Sequence, residues 1–469
     1  MIFASHIFLY LFLPLNIILY FLTKSKAIKN AVLVLFSLVF YAWGRPAWML
    51  LMVFTAFLDY SNARVIEKHR GKARAKIAFA ASLIFDIGVF VAFKYTGFFA
   101  ENINILFDSM LPVPDFELPI GISFYTFQTL TYVIDVYRGD TKAQNSFPKY
   151  LLYLSMYFQL VAGPIVRYSD VADDIENRKL SINKAYAGMQ RFICGLAKKV
   201  IIADTAGEIA KKYLEADISE LTVLAAWLGS FMYIIQLYFD FSGYSDMAIG
   251  LGKIFGFKFP ENFNYPYISK SVGEFWRRWH MTLGSFFRDY VYIPLGGNRK
   301  RVYFNLVVVW ALTGFWHGAS WNFIVWGLYN GFFIIMERLF KKVFDKIPAL
   351  IRHLYLILVV DIGFVFFYFE DINKAVSYIK VMFSNTRTLW DTDLYFTFMN
   401  NLFFIILSVI LCIPVSRLLN RIGYLFERTS KFGALCVSTV KTVSLFVILA
   451  VCTALLAGNS FSPFLYFQF

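Results

Sequence analysis

Two of the five histidines in this chain stand where an ionisable side chain is costly. His317 lies in LTGFWHGASW, between long apolar runs. His280 lies in FWRRWHMTLGSFFRDY, whose mixture of aromatic and basic residues reads as a partly buried segment close to a bilayer. An ionisable residue at membrane depth is a functional candidate by default, and histidine is the side chain best placed to exchange a proton near neutral pH. The structural alternatives are a hydrogen bond within a helix bundle for His317 and an interfacial ring satisfied by its neighbours for His280. His6, His69 and His353 read as span-end or loop residues.

A second polar set falls inside apolar stretches: Asp86, Gln128, Asp135, Gln159, Gln236, Asp240, Asp246 and Asp361. Asp240 and Asp246 are six positions apart, about 240° around a helix of 3.6 residues per turn. They share no face unless Gly243 breaks the helix, so each is expected to cap a break or bind a neighbouring arginine. Arg277, Arg278 and Arg288, beside Trp276, Trp279, Phe286 and Phe287, form a basic aromatic segment. It serves either as an interfacial anchor or as the receiver of a phosphate-bearing donor, whose geometry guanidinium groups match.

Other chemistries lack their signatures. There is no P-loop, GxSxG, HExxH or CxxC, and Gly250-Leu-Gly252-Lys-Ile-Phe-Gly256 has the wrong spacing for a dinucleotide loop. Cys194, Cys412, Cys436 and Cys452 have no metal-ligand spacing and imply no disulfide framework. No metal site is expected.

The elements that must position these residues follow from composition. Of 469 residues, 59% are hydrophobic and only 16% charged, which excludes a water-soluble fold. With ~20 apolar residues per crossing, runs at 6–23, 30–44, 46–60, 77–95, 118–137, 150–166, 222–247, 303–317, 319–340, 350–369, 396–415 and 442–459 predict an all-α polytopic membrane protein. The expectation is about 11–13 spans plus re-entrant or interfacial helices. The opening segment reads as a retained first span, not a removed signal peptide.

The net charge of +14 comes from short Lys/Arg blocks between runs, which argues for topology and against nucleic acid. Lys24, Lys26, Lys29 and the block from Arg64 to Lys76 belong in the cytoplasm, so both termini fall outside. The acidic 101–117 loop (Glu101, Asp108, Asp115, Glu117) is then external, and the basic 253–301 and 417–431 loops are internal. Residues 167–220, external by parity yet rich in Lys and Arg, are expected to be re-entrant. The 303–340 pair fits only as a tight hairpin turning near His317–Gly318. A backbone break at membrane depth is tolerated only where protein buries it or a wet cavity adjoins it.

Several stretches together carry a family resemblance: LPIGISFYTFQTLTYVIDVYRGD (118–140), FQLVAGPIVRYSD (158–170), YFDFSGYSDMAIGLGKIFGFKFPENFNYPY (238–267), FWRRWHMTLGSFFRDYVYIPLGGNRK (275–300), LTGFWHGASWNFIVWGLYNG (312–331) and the terminal SPFLYFQF. The chain resembles the membrane-bound O-acyltransferases, in particular the bacterial branch typified by the membrane subunit of alginate O-acetylation. FPENFNYPY, IPLGGNR and FLYFQF favour that branch over the related D-alanyl transferases of teichoic acid.

The resemblance implies a multi-helix bundle enclosing a trans-bilayer passage, in one membrane-embedded domain over 1–469. Peripheral helices would occupy 1–116, the catalytic core 117–340 and C-terminal helices 341–469. It implies that His317 is the central catalytic residue and His280 its companion. A substrate- or donor-binding set would comprise Arg277, Arg278, Trp279, Arg288, Asp289, Asp240, Asp246, Trp316 and Asn322. No resident cofactor is implied; the donor is expected to be cytoplasmic acetyl-CoA or another acyl thioester. The group would cross the cytoplasmic (inner) membrane to a secreted or periplasmic acetyltransferase partner of SGNH type, which modifies a polysaccharide.

A positioned imidazole that removes a hydroxyl proton as the C–O bond forms contributes ~10²–10⁴-fold, and a transient acyl-imidazole is a second possibility. His280 is open between polarising the carbonyl, orienting the acyl group and sharing the proton. The competing readings are D-alanyl transfer to teichoic acid, peptidoglycan O-acetylation, and a proton-coupled transporter or flippase with a His/Asp relay.

Overall fold

The computed structural model describes residues 1–114, 116–160 and 163–458. Asp115 of the acidic loop, Val161 and Ala162, and the terminal SPFLYFQF lie outside the described residues. Among those described there is no β-strand. The chain is an all-α, multi-pass membrane protein. Among the described residues, six helices are long and apolar enough to cross a bilayer: Pro46–Lys68, Ala73–Phe107, Val223–Phe255, Ala349–Tyr368, Thr392–Leu411 and Lys431–Gly458. Phe8–Leu22 and Val302–His317 are shorter apolar helices.

Two of the remaining apolar runs give helices shortened for local reasons. The 150–166 run breaks at Met156, whose ψ of 109° ends Phe147–Ser155 before Tyr157–Leu160 begins. The 118–137 run starts its helix only after Gly121, held at φ 75°, and gives the 17-residue Ile122–Arg138. At 1.5 Å per residue that spans about 26 Å, short of a ~30 Å hydrocarbon core.

By packing, the chain divides into two compact units, Met1–Phe192 with Tyr244–Glu261, and Ile193–Gly243 with Asn262–Phe469. In the first, glycines bring two helices into backbone contact: a Cβ on Gly188 would stand 2.5 Å from the Gly250 carbonyl oxygen. Beside that contact Arg191 binds Asp246 at 2.8 Å and Glu261 at 2.7 Å. Tyr20 donates to the Phe255 carbonyl and accepts from Arg178.

The second unit carries the hairpin. Val302–His317 ends at Gly318, whose extended backbone (φ −164°, ψ 155°) leads to Trp321–Leu339. The turn therefore falls at His317–Gly318, where the apolar run lengths put it. Gly314 and Gly327 let the two arms touch: a Cβ on Gly314 would stand 2.2 Å from the Phe323 carbonyl oxygen, and one on Gly327 2.3 Å from that of Trp310. Small residues at such a crossing replace side-chain packing with backbone contact, as between helices in lipid.

The 167–220 region folds as Tyr168–Asn177, Ile182–Ala197, a π-helical turn Lys198–Ala203, and Asp204–Leu214. None of these is among the six apolar spans.

Candidate active site

The segment before His280 is fixed at both ends. Val272–Trp276 is a one-turn helix whose cap, Ser271, accepts the Glu274 amide at 3.0 Å. Its first two amides, on Val272 and Gly273, donate to the Glu337 carboxylate at 2.6 and 3.0 Å. Helix N-termini leave such amides without intrahelical partners, and a carboxylate is the natural acceptor. Glu337 comes from the far end of the second hairpin arm, so the hairpin holds the start of the WRRWH segment. Trp276 adds a second tie, its indole N–H donating to Asn330 Oδ1 at 3.0 Å.

His280 itself has left-handed backbone (φ 44°, ψ 53°), a conformation uncommon for a residue with a Cβ and concentrated at functional sites. Its side chain is buried. Asn262 Oδ1 accepts from the Thr282 amide at 3.3 Å and the Thr282 hydroxyl at 2.9 Å. The amide can only donate, so the Asn262 atom facing it is the oxygen and not the nitrogen. His280 Nδ1, 3.1 Å from that same oxygen, must then carry the proton, which leaves the lone pair on Nε2. Burial pushes the imidazole down to about 3, so the ring is neutral across the physiological range.

His317 closes the first hairpin arm. Its ring is boxed by Trp316, Trp326 and Phe367 at centroid distances of 4.8, 5.0 and 5.3 Å. His280 and His317 both wall one cavity of about 180 Å³, together with Trp276, Trp279, Arg288, Tyr292 and Thr313. Ligand pockets for drug-sized molecules run roughly 300–1,000 Å³. At about 180 Å³ this cavity is smaller than that range, and two imidazoles line it. Trp316 stands 6.3 Å from His280 between ring centroids.

The other sequence candidates divide. Trp279 and Arg288 line the chamber; Arg288 is paired with Asp289 at 2.6 Å. Arg278 binds Glu274 at 3.0 Å and the Asn264 carbonyl at 3.2 Å. The Arg277 guanidinium and the Glu337 carboxylate each come within 3.5 Å of where a Cβ on Gly273 would stand. Asn322 donates to the Phe366 carbonyl at 3.2 Å.

Asp240 and Asp246 are not among the residues of the chamber wall. Their helix runs unbroken through Gly243, so neither caps a break. Asp246 binds an arginine, as expected, but the partner of Asp240 is Lys199 at 2.8 Å, shared with Asp204. Sequence reading passed over Asn262, Glu337 and Asn330. Only Asn262 carried a signal, as one of the two amides, with Asn264, in the aromatic stretch 259–267.

The model described as MBOAT, membrane-bound O-acyltransferase family, matches residues 141–381. The chain is 41% identical over 395 residues to the probable alginate O-acetylase AlgI of Azotobacter vinelandii, covering 82% of this chain and 78% of that protein. It is 35% identical to the peptidoglycan O-acetyltransferase of Helicobacter pylori, covering 81% and 80%. Against the teichoic acid D-alanyltransferase of Bacillus subtilis it is 31% identical, over 48% of this chain and 60% of that one.

Proposed function

From the membership of this chain in the membrane-bound O-acyltransferase family, we propose that it moves an acetyl group from a cytoplasmic thioester, acetyl-CoA or an equivalent, across the membrane for O-acetylation of an extracellular or periplasmic polysaccharide. The chain is a membrane O-acetyltransferase; the donor, the direction and the polymer are the proposal. The observation that carries it is the shared wall: His280 and His317 line one cavity of about 180 Å³.

In this reading His317 takes the proton of the attacking hydroxyl as the C–O bond forms and the C–S bond breaks, and returns it to the departing thiolate. His280, neutral and with Nδ1–H given to Asn262, presents only a lone pair at Nε2. It therefore accepts a hydrogen bond from the hydroxyl and does not polarise the thioester carbonyl, which requires a donor. Arg277, Arg278 and Arg288, with Trp279, Asp289, Trp316 and Asn322, handle the donor from the cytoplasmic side, within a core of 117–340. Asp240 and Asp246 act on it indirectly, through the helix whose ion pairs they anchor. The protein sits in the cytoplasmic membrane with both termini outside and hands the group to an SGNH-type acetyltransferase.

His317→Ala, inserted at the wild-type level, abolishes base-labile acetate on the polymer. Unchanged acetate removes His317 from the mechanism, and alanine in place of acetate among the base-labile substituents of wild-type polymers replaces the acyl group. The similarity to a peptidoglycan O-acetyltransferase supports a second acceptor. Acetate recovered from purified muropeptides, with none on secreted polysaccharide, selects it.

A further inference from the structure

Val415–Thr429 is a helix with two faces. Leu418, Leu419, Ile422, Leu425 and Phe426, at positions i, i+1, i+4, i+7 and i+8, form one apolar stripe, and all five are exposed. Arg417, Asn420, Arg421, Glu427 and Arg428 form the other face. The helix is tethered at both ends: Thr392–Leu411 finishes four residues before it, and Lys431–Gly458 begins two residues after it. A helix confined between two spans, apolar on one side and basic on the other, matches an element lying in the bilayer interface. From 415 to 431 it carries Arg417, Arg421, Arg428 and Lys431 against the single acid Glu427, a charge complementary to anionic headgroups.

Its first turn is attached to the segment that orients His280. Arg417 donates to Asn264 Oδ1 at 3.1 Å, and its guanidinium lies 5.3 Å from the Tyr265 ring centroid. The Tyr265 hydroxyl meets Ser416 Oγ at 2.7 Å. Asn264 is in turn clamped to Arg278, its amide donating to the Arg278 carbonyl at 2.9 Å. Two residues earlier, Asn262 receives the Met281 amide on its carbonyl at 2.9 Å and His280 Nδ1 on its side chain.

We propose that the Val415–Thr429 helix binds an anionic bilayer surface and that Arg417 is a positioning residue, holding Asn262–Tyr265 so that His280 keeps its orientation when the helix is seated. The inference rests on the role given above to His280. Tyr265, at φ 48°, is backbone that relaxes once the clamp is released, which makes the segment responsive to the seating of the helix.

The test uses the full chain in nanodiscs of phosphatidylcholine, alone or with phosphatidylglycerol. It reads amide hydrogen exchange over 415–429 and 262–282, and acetyl transfer from acetyl-CoA. Wild type gains protection in both segments with phosphatidylglycerol, and Arg421→Gln with Arg428→Gln loses that gain. Equal exchange of 415–429 in the two discs overturns the surface assignment.

Arg417→Gln leaves lipid-dependent protection of 415–429 in place, speeds exchange over 262–282 several-fold and lowers kcat roughly tenfold at unchanged KM, the scale of a small misplacement of a catalytic group. Arg417→Lys recovers most of it. Tyr265→Phe, which keeps the ring and loses the bond to Ser416, gives a smaller effect of the same kind. Wild-type exchange over 262–282 in both Arg417→Gln and Tyr265→Phe overturns the coupling. An inactive wild type counts against the proposed donor and leaves the exchange data to decide the inference.

Discussion

His280 Nδ1 lies 3.1 Å from Asn262 Oδ1, and that oxygen decides which imidazole nitrogen carries the lone pair. Asn262→Ala removes the acceptor, so the ring is no longer held in the Nε2-lone-pair tautomer. Acetyl transfer is expected to fall by about 10²-fold, the scale set by a misoriented catalytic group. Asn262→Asp should differ in kind. A carboxylate beside Nδ1–H stabilises the imidazolium and raises the His280 pKa, so the acid limb of the pH–rate profile moves to higher pH. The two variants, compared for acetate release across pH at matched membrane levels, check this; a common pH profile contradicts it.

Burial of neutral His280 also has a stability consequence. The folded pKa, about 3, lies below the ordinary value of 6.5. Below pH 6.5 the unfolded chain takes up a proton that the folded ring refuses, so stability is lost as pH falls from 6.5 towards 3 and is unaffected above 6.5. At pH 5 the deficit is about 2 kcal/mol. Thermal unfolding of the detergent-solubilised protein should therefore show a shallower pH dependence between 7 and 5 for His280→Gln than for wild type. Parallel slopes would mean that the ring is hydrated and charged.

The hairpin and the two histidines were readable from sequence because each is local: run lengths fix a turn near residue 318, and a histidine among apolar residues stands out. The ties that aim them were not. Asn262 precedes His280 by eighteen residues and Glu337 follows Val272 by sixty-five, and no periodicity links such pairs. The same limit hid Lys199 as the partner of Asp240. It sits in a π-helical turn, Lys198–Ala203, whose altered register redirects a side chain that 3.6-residue spacing sends elsewhere. The break at Met156 was equally silent, since an unremarkable apolar residue occupies it.

Lys199 and Asp240 are almost fully buried, and Lys199 is 2.8 Å from both Asp240 and Asp204. Removing one member of such a group leaves an uncompensated charge, a cost of about 3–5 kcal/mol. Lys199→Met is accordingly expected to reduce folded protein in the membrane sharply, more than Asp240→Asn, because it removes the cation bound by two carboxylates, whereas Asp240→Asn leaves Lys199 its pair with Asp204. Lys199→Met with Asp240→Leu should recover part of the loss. Detergent-resistant protein measured by size exclusion gives the ranking, and equal yields for the two single variants would remove the cluster from the stability of this unit.

Gly327 supports the site from a distance, and its replacement separates packing from chemistry. A Cβ there would stand 2.3 Å from the Trp310 carbonyl oxygen and 3.0 Å from the Gly314 backbone. Both obstacles are backbone, so no side-chain rotation relieves the clash and the arms must part. Parting moves His317 relative to Trp326, one residue before Gly327 and 5.0 Å from the His317 ring, and it shifts Asn330 and Glu337, which hold the segment leading to His280. Gly327→Ala should thus cost about 10²-fold or more in acetyl transfer with both histidines intact. Gly88→Ala is the control: nothing stands within 4 Å of a Cβ there. Exchanging a helical glycine for alanine at an open position is neutral or favourable by up to ~1 kcal/mol. Acetate content for the two variants at equal membrane abundance makes the comparison. Full activity in Gly327→Ala would show that the hairpin arms tolerate separation and that the histidines are placed by other contacts.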